Sequence, residues 1–204
     1  MFWIKPPQIL HQVFSKAIWR IPTEEKVIYL TFDDGPHTEL TPIILDQLKQ
    51  YNFSATFFCL GKSVIANPSL FKQLLKSNNG IGLHGYDHLN GWQENKEHYL
   101  ENLNKVSRLI DSNLFRPPYG KLSWSQWNEL KNDYQIIMWS VMPEDFREDL
   151  TSEVIFERLK QNIQPGNIVV LHENDKSLKH CKYLLPRYLS LLQTEGYTVK
   201  KLPC

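Results

Sequence analysis

Apolar and polar positions along this chain fall into blocks whose period switches repeatedly between strand-like and helix-like. Residues 27–32 are an almost unbroken run of Val, Ile, Leu and Phe with β-prone Tyr and Thr, the composition of a strand buried on both faces. Residues 41–51 then place Ile44, Leu45 and Leu48 at helical spacing behind Thr41-Pro42, where proline suits a first helical turn. A second buried strand over 55–60 ends at Gly61. A helix over 63–77, carrying Val64, Phe71, Leu74 and Leu75, stops at Asn78-Asn79-Gly80. A short strand at 81–84 precedes the most regular helical period in the chain, 94–112, with Leu100, Leu103, Val106, Leu109 and Ile110. Phe115 and Arg116 run directly into Pro117-Pro118. The pattern then predicts a helix at 123–132, a strand at 135–141, a helix at 153–162 before the Pro165-Gly166 turn, a strand at 168–172, a helix at 183–193 and a closing strand at 197–202. About seven strands, each followed by a helix or an irregular loop, predict an α/β fold built on a parallel sheet. One domain is expected over 26–204. The preceding segment, 1–25, reads as an amphipathic piece packed on it through Leu10, Val13, Phe14, Ile18 and Trp19, with a peripheral membrane contact as the alternative.

Six polar residues are hard to place on an ordinary surface: Asp33, Asp34, His84, Arg116, Asp145 and His172. Each falls at or just after the end of a predicted strand. In a parallel βα barrel those ends share one rim, the rim on which active sites are built. Residues spread over most of the chain are therefore expected to meet.

The residue types fit a metal-dependent hydrolysis. His84 and His88 are four apart and can aim two imidazoles at one ion, and Asp34 from another strand end completes a three-ligand set with positions left open for water. Asp33, beside it, is free to take a proton from the attacking water. His172 leaves a buried strand, Ile168-Val169-Val170-Leu171, at the rim and is placed to protonate a departing amine. Arg116 is placed to hold Asp33 ionised and oriented, and the Tyr119 amide, the first N–H after two prolines, is placed to face a developing oxyanion. Each piece has an ordinary structural reading by itself: a turn aspartate, a buried structural histidine, a solvated arginine beside a rigid turn. Their coincidence at strand ends is what favours chemistry. The same two-histidine, one-carboxylate set serves iron oxygenases, but that chemistry has no use for Asp33 or for an acid at His172.

At these residues the chain resembles the polysaccharide deacetylase family, the NodB-homology domain of carbohydrate esterase family four. Five motifs occur in order: Thr31-Phe32-Asp33-Asp34-Gly35, residues 84–88, Arg116-Pro117-Pro118-Tyr119, residues 139–146, and Val170-Leu171-His172. The resemblance runs from about 26 to 202 and makes 26–204 the catalytic domain. It implies a distorted parallel (β/α) barrel of seven or eight strands, open enough to admit a polymer. It implies Asp33 as general base, and Asp34, His84 and His88 as ligands of a divalent metal, usually Zn2+ and sometimes Co2+. It further implies His172 as general acid, Asp145 as the residue that tunes it, Arg116 as the residue that orients the base, and Tyr119, Trp139, Phe146 and Val170 as substrate-binding. The activity implied is removal of acetyl groups from N-acetylated sugars such as those of peptidoglycan or chitooligosaccharides, or from O-acetylated xylan. Three positions depart from the family's pattern. Gly85 replaces a hydroxyl residue that steadies the histidine loop, Met142 replaces an acid, and Phe146 replaces a tryptophan. They keep open a second reading, a glycan-binding protein on the same barrel with impaired turnover.

Composition narrows the partners. The 204 residues carry 23 basic and 22 acidic side chains, a net charge of +1, so no broad field draws nucleic acid or anionic membrane. An acetylated oligo- or polysaccharide fits better; oligomeric state is not legible. Cys59, Cys181 and Cys204 are isolated and read as free thiols. Residues 1–22 lack the continuous apolar core of a secretory leader, and no run reaches the length of a membrane span, which leaves a cytoplasmic or an envelope-associated location open. Trp92, Trp124, Trp127 and Trp139 are either sugar-stacking faces or core packing, and Lys121, Lys176, Lys179 and Lys182 form a loose basic group that reads as solvated surface.

Overall fold

Strand β1 (Val27–Asp33) forms the middle of the molecule because its apolar run has partners on both sides: Thr31 to Asp33 pair with β2 (Thr56–Cys59), and Tyr29 to Asp33 pair with β6 (Ile168–His172). A computed structural model describes residues 4–203; Met1, Phe2, Trp3 and Cys204 lie outside the described residues. The other elements, in chain order, are α1 (Gln8–Val13), α2 (Leu40–Gln50), α3 (Gly61–Ala66), α4 (Pro68–Lys76), β3 (Gly80–Leu83), α5 (Lys96–Ser107), β4 (Leu114–Phe115), α6 (Trp124–Leu130), β5 (Gln135–Ile136), α7 (Ser152–Lys160), α8 (Leu178–Thr194) and β7 (Thr198–Val199). The strands are parallel in the order β5-β4-β3-β2-β1-β6, while β7 pairs with the base of β1 at Val27 and Ile28. The result is the expected α/β architecture, a curled and distorted parallel barrel. Fully buried Leu30, Phe32, Phe57, Phe115 and Val169 pack the sheet against the helices, while Phe58, Leu114, Ile137 and Ile168 form a separate cluster on its other, inner face.

Several elements differ from the sequence pattern: the helix expected over 94–112 ends at Ser107, the closing strand expected over 197–202 pairs only at Thr198–Val199, and three further differences concern the loops and edges around the site. The predicted strand over 135–141 forms a ladder only at Gln135–Ile136. The Arg116 guanidinium takes the carbonyls of Ile137 and Met138, so a side chain replaces the next strand there. Beyond it the chain crosses the gap and Val141 bridges to Val169, which draws the two sheet edges together. The predicted helix over 63–77 is two helices, broken at Asn67 (φ −130°, ψ 57°) before Pro68, which cannot continue the preceding hydrogen-bond ladder. The freed Asn67 side chain donates to the Pro36 carbonyl and ties this break to the loop after β1. Helix α8 begins at Leu178, five residues earlier than its apolar period is apparent, because Lys179 and Lys182 interrupt the stripe formed by Cys181, Leu184, Leu185, Tyr188, Leu189 and Leu192.

Within the amphipathic segment Ala17 and Trp19 are buried, and Leu10 and Phe14 pack partly against the core, whereas Val13 is exposed. Ile18 bridges to Ile137, so this segment covers the open side left by the short β5. Cys59 and Cys181 are buried free thiols. No described helix is long and apolar enough to cross a membrane.

Candidate metal centre

Asp34, His84 and His88 come from the ends of β1 and β3 and the loop after β3, and one ligand atom from each lies within 4.8 Å of the others. The Asp34 Oδ1 atom is 3.6 Å from His84 Nε2 and 3.3 Å from His88 Nε2. That oxygen is buried and has no hydrogen-bond partner among the described residues, a costly condition for a carboxylate that a cation would relieve. His84 Nδ1 is 2.8 Å from the Arg116 carbonyl; since a carbonyl only accepts, Nδ1 carries the proton and Nε2 keeps its lone pair for a metal. Burial and the neighbouring His84 outweigh the pull of Asp34 and lower the His88 pKa to about 4, so His88 is a neutral imidazole at neutral pH. Burial acts to raise the Asp34 carboxyl, but His84, His172 and His88 and a hydrogen bond from Asn174 hold it below its ordinary value. The donor set of one carboxylate and two imidazole nitrogens fits Zn2+ or a similar divalent ion. Both Asp34 (φ 79°) and His88 (φ 61°) have positive φ, at a cost of about 1–3 kcal/mol each that the surrounding structure must hold in place.

Asp33 points beside this set, with Oδ2 3.9 Å from His84 Nε2. Its Oδ1 accepts from Arg116 Nη1 at 2.6 Å, and the same nitrogen donates to Thr31 Oγ1 at 2.7 Å. Arg116 is fully buried. With Nε and Nη2 on the Ile137 and Met138 carbonyls and the guanidinium 4.2 Å from the Phe58 ring centre, it has no freedom to leave Asp33.

Across the cleft His172 ends β6, in register with Asp33. Asp145, wholly buried, grips this histidine twice: Oδ1 lies 2.8 Å from Nδ1, and Oδ2 accepts the His172 backbone N–H at 2.7 Å. Burial alone would lower the imidazole's pKa, but Asp145, with Asp34 and Asp33 behind it, raises it to about 9. The Phe146 ring packs edge-on against His172 with centroids 5.0 Å apart. Nε2 is therefore the nitrogen left to hold an exchangeable proton.

A cleft of about 1000 Å³ joins these groups, lined among others by Asp33, Asp34, His84, His88, Tyr119, Trp139, Met142, Phe146 and His172. Tyr119 has positive φ (60°) and stacks edge-on against His88 at 4.5 Å. The Gly120 and Lys121 amides turn back onto Pro117 and Pro118, while the Tyr119 amide forms no hydrogen bond among the described residues. Val170 is not brought into the cleft. It is 1% exposed, paired with Thr31 and packed in the core, one pleat below His172, which corrects its expected role in substrate binding.

Several supporting residues carried no motif signal. Where Gly85 (φ 78°) lacks a hydroxyl, Asn102 of α5 supplies the brace: its Oδ1 accepts from the Tyr86 and Asp87 amides and its Nδ2 donates to Asp87. Buried Asn102 inside an otherwise apolar helical stripe was the available clue. Asn174 Nδ2 donates to Asp34 Oδ2 at 2.7 Å. Glu173 is buried behind the turn after β1, takes a hydrogen bond from Thr41, and leaves no space for a Cβ at Gly35, which would meet its carboxylate at 2.0 Å. Burial, with Asp34 and Asp33 nearby, raises Glu173 to about 8 despite the Thr41 bond.

A family model described as polysaccharide deacetylase matches residues 20–135. A peptidoglycan-N-acetylglucosamine deacetylase of Bacillus cereus is 33% identical over 187 residues, covering 88% of this chain and 87% of its own. A crystal structure of a peptidoglycan N-acetylglucosamine deacetylase in complex with 4-naphthalen-1-yl-N-oxidanyl-benzamide superposes with a TM-score of 0.86 at 30% identity, over 95% of this chain and 94% of that one. A CE4 family pseudoenzyme from Bacillus anthracis has a TM-score of 0.79 at 27% identity, over 91% of this chain and 67% of its own. Similarity at this level, extending over nearly the whole chain and one common fold, is more than a shared motif on an unrelated scaffold could produce, and the chain belongs to the polysaccharide deacetylase family.

Proposed function

We propose that this protein is a divalent-metal-dependent deacetylase that hydrolyses the acetamide of N-acetylated sugars in a GlcNAc-containing glycan, such as peptidoglycan or a chitooligosaccharide. The observation that carries this reading is the convergence of the orphaned Asp34 oxygen and two histidine Nε2 atoms between a second aspartate on one side and a histidine-aspartate pair on the other. Asp34, His84 and His88 would hold the ion, which would supply Lewis-acid polarisation of the acetyl carbonyl and lower the pKa of water. Asp33, fixed by Arg116, takes the proton of the attacking water. The Tyr119 amide meets the oxygen on which negative charge develops, and one such donor contributes about 3 kcal/mol in acyl transfer. His172, charged at neutral pH, donates from Nε2 to the amine as the carbon–nitrogen bond breaks. Trp139, Met142 and Phe146 wall the space for the acetyl methyl.

The test is Asp33→Asn. Acetate release from chitooligosaccharide or peptidoglycan fragments falls by about 100-fold or more, while zinc content stays at the wild-type level. Retained turnover in that variant removes Asp33 from its role. The pseudoenzyme neighbour keeps a second reading in view, a glycan-binding protein without turnover. In the present chain Asp33, Asp34, His84, His88, Arg116, Asp145 and His172 are all present and connected, which supports turnover over binding alone.

A further inference from the structure

Trp92 is the most exposed large apolar side chain in the described residues, 67% exposed, yet it is held as firmly as a core residue. Its indole Nε1 donates to the Leu122 carbonyl at 3.1 Å and its amide is capped by Asn90. The loop below it is bolted to residues 121–122: wholly buried Gln126 donates to the Gly91 and Glu94 carbonyls, and a Cβ at Gly91 would meet the Lys121 carbonyl at 2.4 Å. An indole presented to water in one fixed orientation has paid its ordering entropy before any ligand arrives. Lys121 completes the surface, its Nζ 4.8 Å from the Trp92 ring centre and 5.9 Å from that of Tyr119.

This platform is continuous with the metal centre. Tyr119 stacks on His88 at one end and approaches Lys121 at the other, and an apolar depression of about 290 Å³ under Trp92 shares Pro117, Tyr119, Gly120 and Trp139 with the catalytic cleft. The geometry points to a second sugar subsite: a pyranose of the same glycan strand, further from the acetylated residue than a disaccharide reaches, stacks on the indole of Trp92, with the Lys121 ammonium donating to its oxygens. The apolar face of a pyranose matches an aromatic plane, and Lys121 supplies donors at its edge. The inference rests on the glycan deacetylase reading and names how its substrate is recognised beyond the reacting sugar.

The experiment compares chitobiose with chitohexaose. For Trp92→Ala, kcat/KM on the hexamer falls about threefold to tenfold through KM, while the dimer is unaffected. Trp92→Phe, which keeps a stacking ring, recovers most of the loss. Trp124→Ala removes an equally prominent tryptophan that lines neither depression, and leaves the length preference unchanged. Equal loss on both substrates, or no loss on either, overturns the subsite. If the wild-type protein releases no acetate from any glycan, the catalytic reading has failed and the subsite is judged by binding alone. Chitohexaose then quenches tryptophan fluorescence in the wild type with an affinity that Trp92→Ala lowers; an affinity untouched by that change overturns it.

Discussion

Replacing Asp145 by Asn separates charge from shape at the candidate acid. In the wild type both Asp145 oxygens accept, one from His172 Nδ1 and one from the His172 backbone amide. Asparagine offers one acceptor and one donor in the same volume, so one of the two bonds is lost and the negative charge disappears altogether. The His172 pKa stands at about 9 instead of its ordinary 6.5 only because Asp145, Asp34 and Asp33 overcome burial. That difference corresponds to about 3 kcal/mol favouring the imidazolium in the folded state. Without Asp145 burial is less opposed, and the pKa falls to about 6.5 or below. At about pH 7.5 the charged fraction drops from about 97% to under about 10%, so activity falls roughly tenfold from protonation alone. The assay is acetate release across pH: the alkaline limb of kcat/KM moves to lower pH in Asp145→Asn by about 2.5 units or more. Stability follows the same group with a definite sign. A raised folded-state pKa stabilises fully below about pH 6.5, and the contribution is lost as pH rises through about 9, so urea denaturation separates wild type from variant most at low pH and least near pH 10. An alkaline limb unmoved by the substitution refutes the assignment of His172 as acid and Asp145 as the residue that sets its charge.

Arg116→Met strands the Asp33 carboxylate and the Ile137 and Met138 carbonyls in the interior; unfolding free energy falls by about 3–5 kcal/mol in urea titrations, and a loss under 1 kcal/mol contradicts the buried pairing described. Asn102→Ala removes the brace behind the histidine loop and weakens zinc binding about tenfold by calorimetry, with wild-type affinity showing that the loop holds itself. Zinc added at about 100 times its Kd raises stability by about 2.7 kcal/mol in the wild type and much less in His84→Ala or His88→Ala; equal stabilisation in all three places the ion elsewhere. Chelation abolishes acetate release, and Zn2+ or Co2+ restores it.

The strand endings and the identity of the polar groups on them were legible in the chain because both are local: an apolar run stops where a charge begins, and Asp33-Asp34, His84, Arg116 and His172 each mark such a stop. The βα alternation was legible for the same reason, since each element carries its own hydrophobic period. Asn102 showed only as a polar interruption of the α5 stripe, and Asn174 and Glu173 not at all, because a hydrogen bond between Asn174 and Asp34 across 140 residues leaves no periodic trace in either segment. Val170 looked like part of the site from its motif, but the two-residue period of β6 puts its side chain in the barrel interior beneath His172. The short β5 and the broken helix at Asn67 were likewise decided in three dimensions, by a guanidinium that takes the place of a strand and by a side chain that reaches the Pro36 carbonyl. Sequence alone thus determined which chemical groups stand at the ends of which elements. Only the folded barrel decided which of them meet, which stay neutral and which keep a charge, because distance and burial are properties of the packed chain and not of any segment of it.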